Sequence, residues 1–148
     1  MNFDIEKKFG NIVVGIDEVG RGPIAGPVVA VAVYINRSLW KNFLKKYPEI
    51  IKINDSKKIS KKIRKKLYKI LINIISFGVG AASVKEIEEK NILQASLIAM
   101  ERAYISLKVK ANFVLVDGIN TPKIKANVKA IKNSDNKSIS IASASIIA

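Results

Sequence analysis

Residues 14 to 23 read Val14-Gly15-Ile16-Asp17-Glu18-Val19-Gly20-Arg21-Gly22-Pro23. The approach, Ile12 to Ile16, is a short apolar run rich in β-branched residues, the pattern of a buried strand. It delivers two adjacent carboxylates and then a turn holding Gly20, Gly22, Pro23, Gly26 and Pro27. Pro27 to Ile35 is a second apolar run and reads as the next strand.

Working outward, Leu39 to Lys46 reads as a short helix that Tyr47-Pro48 ends, because proline disfavours the α conformation in the residue before it. Asn54-Asp55-Ser56 is a polar loop. Ser60 is a plausible N-cap for a helix to about Ser76, since Ile63, Leu67, Ile70, Leu71 and Ile74 recur at helical spacing and Lys and Arg take the opposite side. Gly78 to Val84 suits a third strand, and Leu93, Leu97, Met100 and Tyr104 mark a second amphipathic helix from about Asn91 to Leu107. Phe113 to Val116 is a fourth buried strand ending at Asp117-Gly118. A fifth, weaker strand falls near Val128 to Ile131, and Ser138 to Ala148 begins a helix of small residues. That order implies an α/β or α+β domain, a mixed sheet with helices packed on it.

At 148 residues and 49% hydrophobic, the chain is long enough for one domain burying roughly 68–70% of its unfolded surface. No repeat or linker divides it, so residues 1–148 are expected to form a single domain. Cysteine and histidine are both absent. This excludes disulfides, thiolate zinc sites, cysteine nucleophiles and any imidazole base or ligand. Catalysis must then rest on carboxylates, lysine or hydroxyls, with metal if water is to be activated. The segment Met1 to Gly10 lacks the apolar core of a signal peptide, and no apolar run reaches the ~18 residues of a membrane span. A cytoplasmic location is the expectation.

The formal charge is +14, with 22 Lys and 4 Arg. Such a potential favours a polyanion, nucleic acid first and an anionic membrane surface second. From Lys41 to Lys69, eleven Lys and one Arg stand against Glu49 and Asp55. This stretch is either a solvated helix side or a phosphate-contacting patch whose binding weakens steeply with salt.

Among the 12 acidic residues, Asp17, Glu18, Asp117 and Asp135 stand out by position. Ligand sites in open sheets gather beyond the carboxyl ends of strands, so Asp17 and Asp117 converge if their strands are parallel neighbours. Mg²⁺ is commonly held by one or two carboxylates plus waters and substrate phosphates, so such a cluster suits Mg²⁺ or Mn²⁺. Successive strand residues point to opposite sides, so the chain must bend after Asp17-Glu18 if both are to reach one site. The plain alternatives are a solvated strand end for Asp17-Glu18, a hairpin turn at Asp117-Gly118, and a loop or N-cap role for Asp135. The glycines of Gly20-Arg21-Gly22 allow close backbone approach to a sugar or phosphate. Their spacing fits neither GxGxxG nor GxxxxGK[ST].

Taken together these segments resemble the ribonuclease HII family. The run from Gly15 to Ala30 is similar to that family's signature nearly residue for residue. The likeness continues in order through Asn54-Asp55-Ser56-Lys57-Lys58-Ile59-Ser60, Asn91-Ile92-Leu93-Gln94-Ala95-Ser96, Ala99-Met100-Glu101-Arg102-Ala103, Val114-Leu115-Val116-Asp117-Gly118 and Ile141-Ala142-Ser143-Ala144-Ser145-Ile146. The resemblance implies a ribonuclease H-like fold with a central five-stranded mixed sheet flanked by helices. It implies hydrolysis of the RNA strand of RNA–DNA hybrids, or cutting at ribonucleotides embedded in duplex DNA, by a monomer with no membrane attachment. Asp17, Glu18, Asp117 and Asp135 fall on the family's four acidic positions, with Asp17, Glu18 and Asp117 as metal ligands. Gly20, Arg21 and Gly22 match the motif that reads the ribose 2′-hydroxyl, the group that separates RNA from DNA, and Lys57 is a candidate phosphate contact. Two Mg²⁺ or Mn²⁺ ions would activate water and stabilise the leaving 3′ oxygen, with Asp17 bridging them.

Two departures shape the expectations. The family usually has glycine before its fourth acid, where this chain has Ser134. Its members also continue past the segment matching Ile141–Ala148 with further helices and a tyrosine that packs against the sugar. A C-terminally truncated domain is therefore expected, and a catalytically inactive nucleic-acid-binding remnant is the alternative to an active enzyme. An anionic-membrane binder is a third reading, resting on the lysine-rich segment alone.

Overall fold

A computed structural model describes residues 2–20, 26–53, 58–134 and 137–148. Five strands form one sheet: β1 (Val13–Val19), β2 (Val28–Tyr34), β3 (Ser76–Ala82), β4 (Phe113–Asp117) and β5 (Asn127–Ile131), in the order β3-β2-β1-β4-β5. β2 runs antiparallel to both β1 and β3, whereas β4 is parallel to both β1 and β5. The mixed five-stranded sheet flanked by helices is the expected architecture.

The helices explain why β1 and β4 are apolar without alternation, for both sides of the sheet are covered. Val14, Ile16, Val114 and Val116 pack on Ala95, Ala99, Met100 and Ala103 of helix α5 (Ile92–Leu107). The intervening residues Val13 and Leu115 point the other way and meet Ile141 of helix α6 (Ile139–Ile147). Helix α3 (Lys61–Ile74) lies outside α6 and inserts Leu67 and Leu71 into a cluster with Val31, Val33, Ala142 and Ile146. Each of those leucines is fully buried, worth about 1.5–3 kcal/mol relative to exposure.

Ser60 caps α3 as expected, its hydroxyl accepting from Ile63 N at 3.2 Å. The helix ends at Ile74 rather than near Ser76, because Ile75 turns extended and Ser76 and Phe77 take ladder positions opposite Tyr34 and Val33. The third strand therefore begins two residues earlier than its glycines suggest. It also stops at Ala82, since Ser83 opens helix α4 (Val84–Lys90), an element that hydrophobic periodicity does not predict. A capping box drives that helix: Ser83 Oγ accepts from Glu86 N at 3.2 Å and Glu86 Oε1 accepts from Ser83 N at 3.1 Å. Arg102 then ties the corner, donating to both Glu86 oxygens and to Ala81 O.

Between β2 and α3, the expected short helix is α2 (Trp40–Lys46), preceded by a 3-10 turn at Arg37–Leu39 and followed by another at Pro48–Lys52. The chain also opens with a short helix, α1 (Asp4–Lys7), that periodicity could not reveal in so few residues. Its Glu6 is 1% exposed and reaches the start of α6. There Oε1 accepts from Ser138 Oγ at 2.6 Å and from Ser140 N at 3.2 Å. The first turn of α6 is thus capped locally by Ser138 and from a distance by Glu6.

Candidate active site

The parallel register Gly15↔Leu115 and Ile16↔Val116 brings Asp17 beside Asp117 at the carboxyl ends of two neighbouring strands. The strand that follows β4 is its parallel neighbour β5, so Asp117-Gly118 is not the turn of a hairpin. Alternation along the strands directs both aspartates to the side covered by α6, with Val13 and Leu115.

Asp17 is nearly buried, at 9% exposure. Its Oδ1 accepts from Glu18 N at 2.8 Å, and its carboxylate also accepts from the Ser145 hydroxyl of α6. Burial pushes its pKa up from 3.8 to about 7. The Glu18 backbone bond opposes that shift, while the charges of Glu18 and Asp117 add to it. The approach of α6 depends on Gly15, where an added methyl would lie 2.6 Å from both Ile141 N and the carbonyl carbon of Ser140. Without a Cβ at this position the helix sits directly on β1, two residues before the acid.

Asp117 is half-buried and held differently. Ser134, fully buried, donates to Asp117 Oδ1 through its backbone N and through its hydroxyl, both at 3.0 Å. The serine that departs from the family's usual glycine therefore supplies a side-chain bond that glycine lacks.

Glu18 does not join the pair through an early bend. β1 stays regular, pairing Glu18 with Ala30 and Val19 with Val29, and the backbone turns only at Gly20, whose φ is +95°. The reason is the antiparallel ladder with β2, which holds the extended backbone past both acids. Gly20 is exposed and leaves no room for a side chain, since a Cβ would lie 2.6 Å from Pro27 O. Arg21, Gly22, Lys57 and Asp135 lie outside the described residues. Among the described residues, no three Asp, Glu, His or Cys side chains gather closely enough to hold a metal ion.

Two residues at the site, Ser134 and Ser145, are participants that the sequence pattern does not single out. For Ser145 the available signal is a hydroxyl inside an otherwise apolar stretch, since a buried polar group needs a partner, whereas Ser134 lies among polar residues and carries no such signal. The lysine-rich segment behaves as its pattern predicts: Lys61, Lys62, Lys65, Lys66 and Lys69 are exposed on α3 while Leu67 and Leu71 are buried. Among the described residues, no helix is long and apolar enough to cross a membrane.

A family model described as ribonuclease HII matches residues 14–148. The ribonuclease HII of Wolbachia sp. subsp. Drosophila simulans (strain wRi) is 46% identical over 147 residues, covering 99% of this chain and 70% of that protein. Among solved structures, the ribonuclease H2 of Pyrococcus horikoshii OT3 superposes with a TM-score of 0.73 at 28% identity, covering 92% of this chain and 69% of that one. A ribonuclease HIII, Bst-RNase HIII in complex with Mn²⁺, shares the fold with a TM-score of 0.75 at 18% identity, covering 95% of this chain. This chain spans 52% of that protein's length. A match from Val14 to Ala148 that takes in both aspartates, beside near-half identity to a relative over almost the whole chain, makes this protein a member of the ribonuclease HII family.

Proposed function

We propose that the protein is an endonuclease that hydrolyses the RNA strand of RNA–DNA hybrids, or cuts at ribonucleotides embedded in duplex DNA, by two-metal-ion phosphodiester hydrolysis. The observation that carries this reading is the pairing of Asp17 with Asp117 at adjacent parallel strand ends, one nearly buried and each held by hydroxyl donors.

The residues fit a hard divalent cation. Every available donor is oxygen, the preference of Mg²⁺ and Mn²⁺. Burial and neighbouring carboxylates work against the charge on Asp17, and a cation between them would remove that penalty. A related fold, the ribonuclease HIII, was solved with Mn²⁺. Asp17 and Asp117, on one side of the sheet, are the proposed ligands together with Glu18, which starts from the other side of β1 but whose charge already reaches Asp17, and Asp135 completes the catalytic set. When bound, such ions lower the pKa of water and offset charge on the leaving oxygen. Ser145 and Ser134 position Asp17 and Asp117, each donating to one carboxylate and leaving further lone pairs for a cation. Gly20, Arg21 and Gly22 read the ribose 2′-hydroxyl through close backbone approach, and Lys57 contacts a phosphate. The partner is the hybrid or ribonucleotide-containing duplex, bound by a monomer.

The test is incision of a labelled DNA duplex carrying one ribonucleotide, with and without Mg²⁺ or Mn²⁺. Cleavage that depends on the cation and disappears in Asp17→Asn is expected. Robust cleavage in excess chelator would sink the mechanism, and salt-sensitive binding with no incision at any cation concentration would replace the enzyme with a non-catalytic binder.

A further inference from the structure

Beyond the carboxylates, the sheet continues outward to β5, and there the charge reverses. A hollow of about 440 Å³ is bounded by Lys8 after α1, Lys129 and Lys132 on and after β5, and Lys137 before α6, over an apolar floor that includes Phe9 and Ile131. All four lysines are exposed, and among the described residues no acidic side chain lines the hollow. Lys129 Nζ lies 5.6 Å from the centre of the Phe9 ring, which itself packs against Phe113 at 4.6 Å between centroids. A cation over an aromatic ring is held in place without being neutralised. The bonds from Ser138 and Ser140 to Glu6 fix α1 against the start of α6, and so hold Lys8 and Lys137 on the walls of the hollow.

The position of the hollow follows from register. Asp117 pairs with Ile131, so Lys132 begins one residue past and one strand outward from the acid. Neighbouring strands are about 4.7–4.9 Å apart. Lys129 and Ile131 share a side of β5, and Ile131 packs with Val13, Leu115 and Phe9 on the side to which Asp17 and Asp117 also point. A polyanionic strand that leaves the acidic pair toward β5 meets Lys132 just past the carboxyl end of that strand, and Lys129 two residues before that end, opposite Leu115.

We infer that the hollow bounded by Lys8, Lys129, Lys132 and Lys137 binds the phosphodiester backbone of a nucleic-acid strand beyond the point of cleavage. It deepens, and rests on, the reading of this protein as a nuclease. The lysines hold the flanking backbone and carry no part of the bond-breaking step. Lysine presents a point charge rather than a planar fork, so the contact is to phosphate and independent of sequence.

The test uses the full chain and an RNA–DNA hybrid duplex, with affinity measured by fluorescence anisotropy across a salt series without divalent cations, so that no cleavage intervenes. In the variant Lys129→Ala/Lys132→Ala/Lys137→Ala the slope of log affinity against log salt should fall by about 0.9 for each phosphate that is no longer neutralised. Replacing the same three lysines by arginine should restore the slope, and replacing Lys85 and Lys90 by alanine, on the helix that follows the opposite edge strand β3, should leave it unchanged. An unchanged slope in the first variant with an intact thermal midpoint overturns the inference. So does an equal fall in the distant control, or binding by the wild type to anionic vesicles in preference to the duplex. Absence of incision by the wild type strikes the catalytic reading and not this one, since the slope is read without cleavage.

Discussion

Ser134 donates to Asp117 twice, through its backbone N and its hydroxyl, with both bonds at 3.0 Å and both on the same oxygen, Oδ1. The second carboxylate oxygen takes no part in these bonds, and two donors on one oxygen restrain the rotation of the carboxylate. In Ser134→Ala the backbone bond remains and only the hydroxyl is removed. We expect a loss of about 1 kcal/mol in stability, measured by denaturant titration, and a several-fold higher Mg²⁺ or Mn²⁺ requirement for incision. An unchanged cation requirement would make the hydroxyl purely structural. Ser134→Gly should behave the same way with a further small loss from backbone entropy.

The raised pKa of Asp17 predicts a specific pH dependence. Its folded value, about 7, lies above the unfolded 3.8, so between these values the folded state binds more protons than the unfolded one and stability falls as pH rises. The penalty is complete above about pH 7 and is relieved as pH drops toward 4, with an upper limit of about 4 kcal/mol at 1.36 kcal/mol per pH unit. In chelator, Asp17→Asn should flatten this part of the profile and be more stable than wild type at pH 8. Equal slopes for the two proteins between pH 5 and 7 would refute it.

Divalent cation should act on the same penalty from the other direction. Mg²⁺ or Mn²⁺ binding only to the folded chain raises stability by RT ln(1 + [L]/Kd), about 2.7 kcal/mol at a hundredfold excess over Kd. A rise in thermal midpoint that saturates with cation in wild type and is absent in Asp17→Asn is expected from scanning calorimetry. No rise at saturating cation would count against a formed site.

Gly15→Ala tests how closely α6 must sit. The new methyl would meet backbone atoms of Ser140 and Ile141 at 2.6 Å, and backbone cannot swing aside as a side-chain tip can. A loss of about 1–3 kcal/mol is expected from overpacking, with reduced incision even well below the melting temperature because α6 carries Ser145 away from Asp17. Full activity in a destabilised but folded variant would uncouple the helix position from the acid.

The apolar runs and helical periodicities make the sheet and its main helices legible, because both depend on patterns that span several residues. Val13–Val19, Val28–Tyr34 and Ile92–Leu107 lie where those patterns put them, with shifts of a few residues. The strand through Asp17 and Glu18 runs longer than its apolar part because pairing with β2, not hydropathy, sets its end. Helix α4 is not legible by periodicity although Ser83 and Glu86 carry the capping-box spacing, since its seven residues are too few to show a periodic stripe. At the site, the juxtaposition of Asp17 and Asp117 is readable as a condition on strand direction, which the parallel register fulfils. Ser134 and Ser145 are not readable as partners of these acids. Their bonds span gaps in sequence that no local pattern encodes, and Ser134 stands out only as a departure from glycine.

The bond between Glu6 and Ser138 joins residues 132 positions apart in sequence, and β1 finds its parallel partner only at Phe113. The antiparallel half, β1 to β3, needs only the residues up to Ala82. During synthesis that meander can form while β4 and α6 are still inside the ribosome. Contacts of such long range form late and slow folding. The acidic side of the sheet is accordingly among the last parts of the molecule to assemble, so a nascent chain carries the lysines of α3 well before Asp17 and Asp117 can come together.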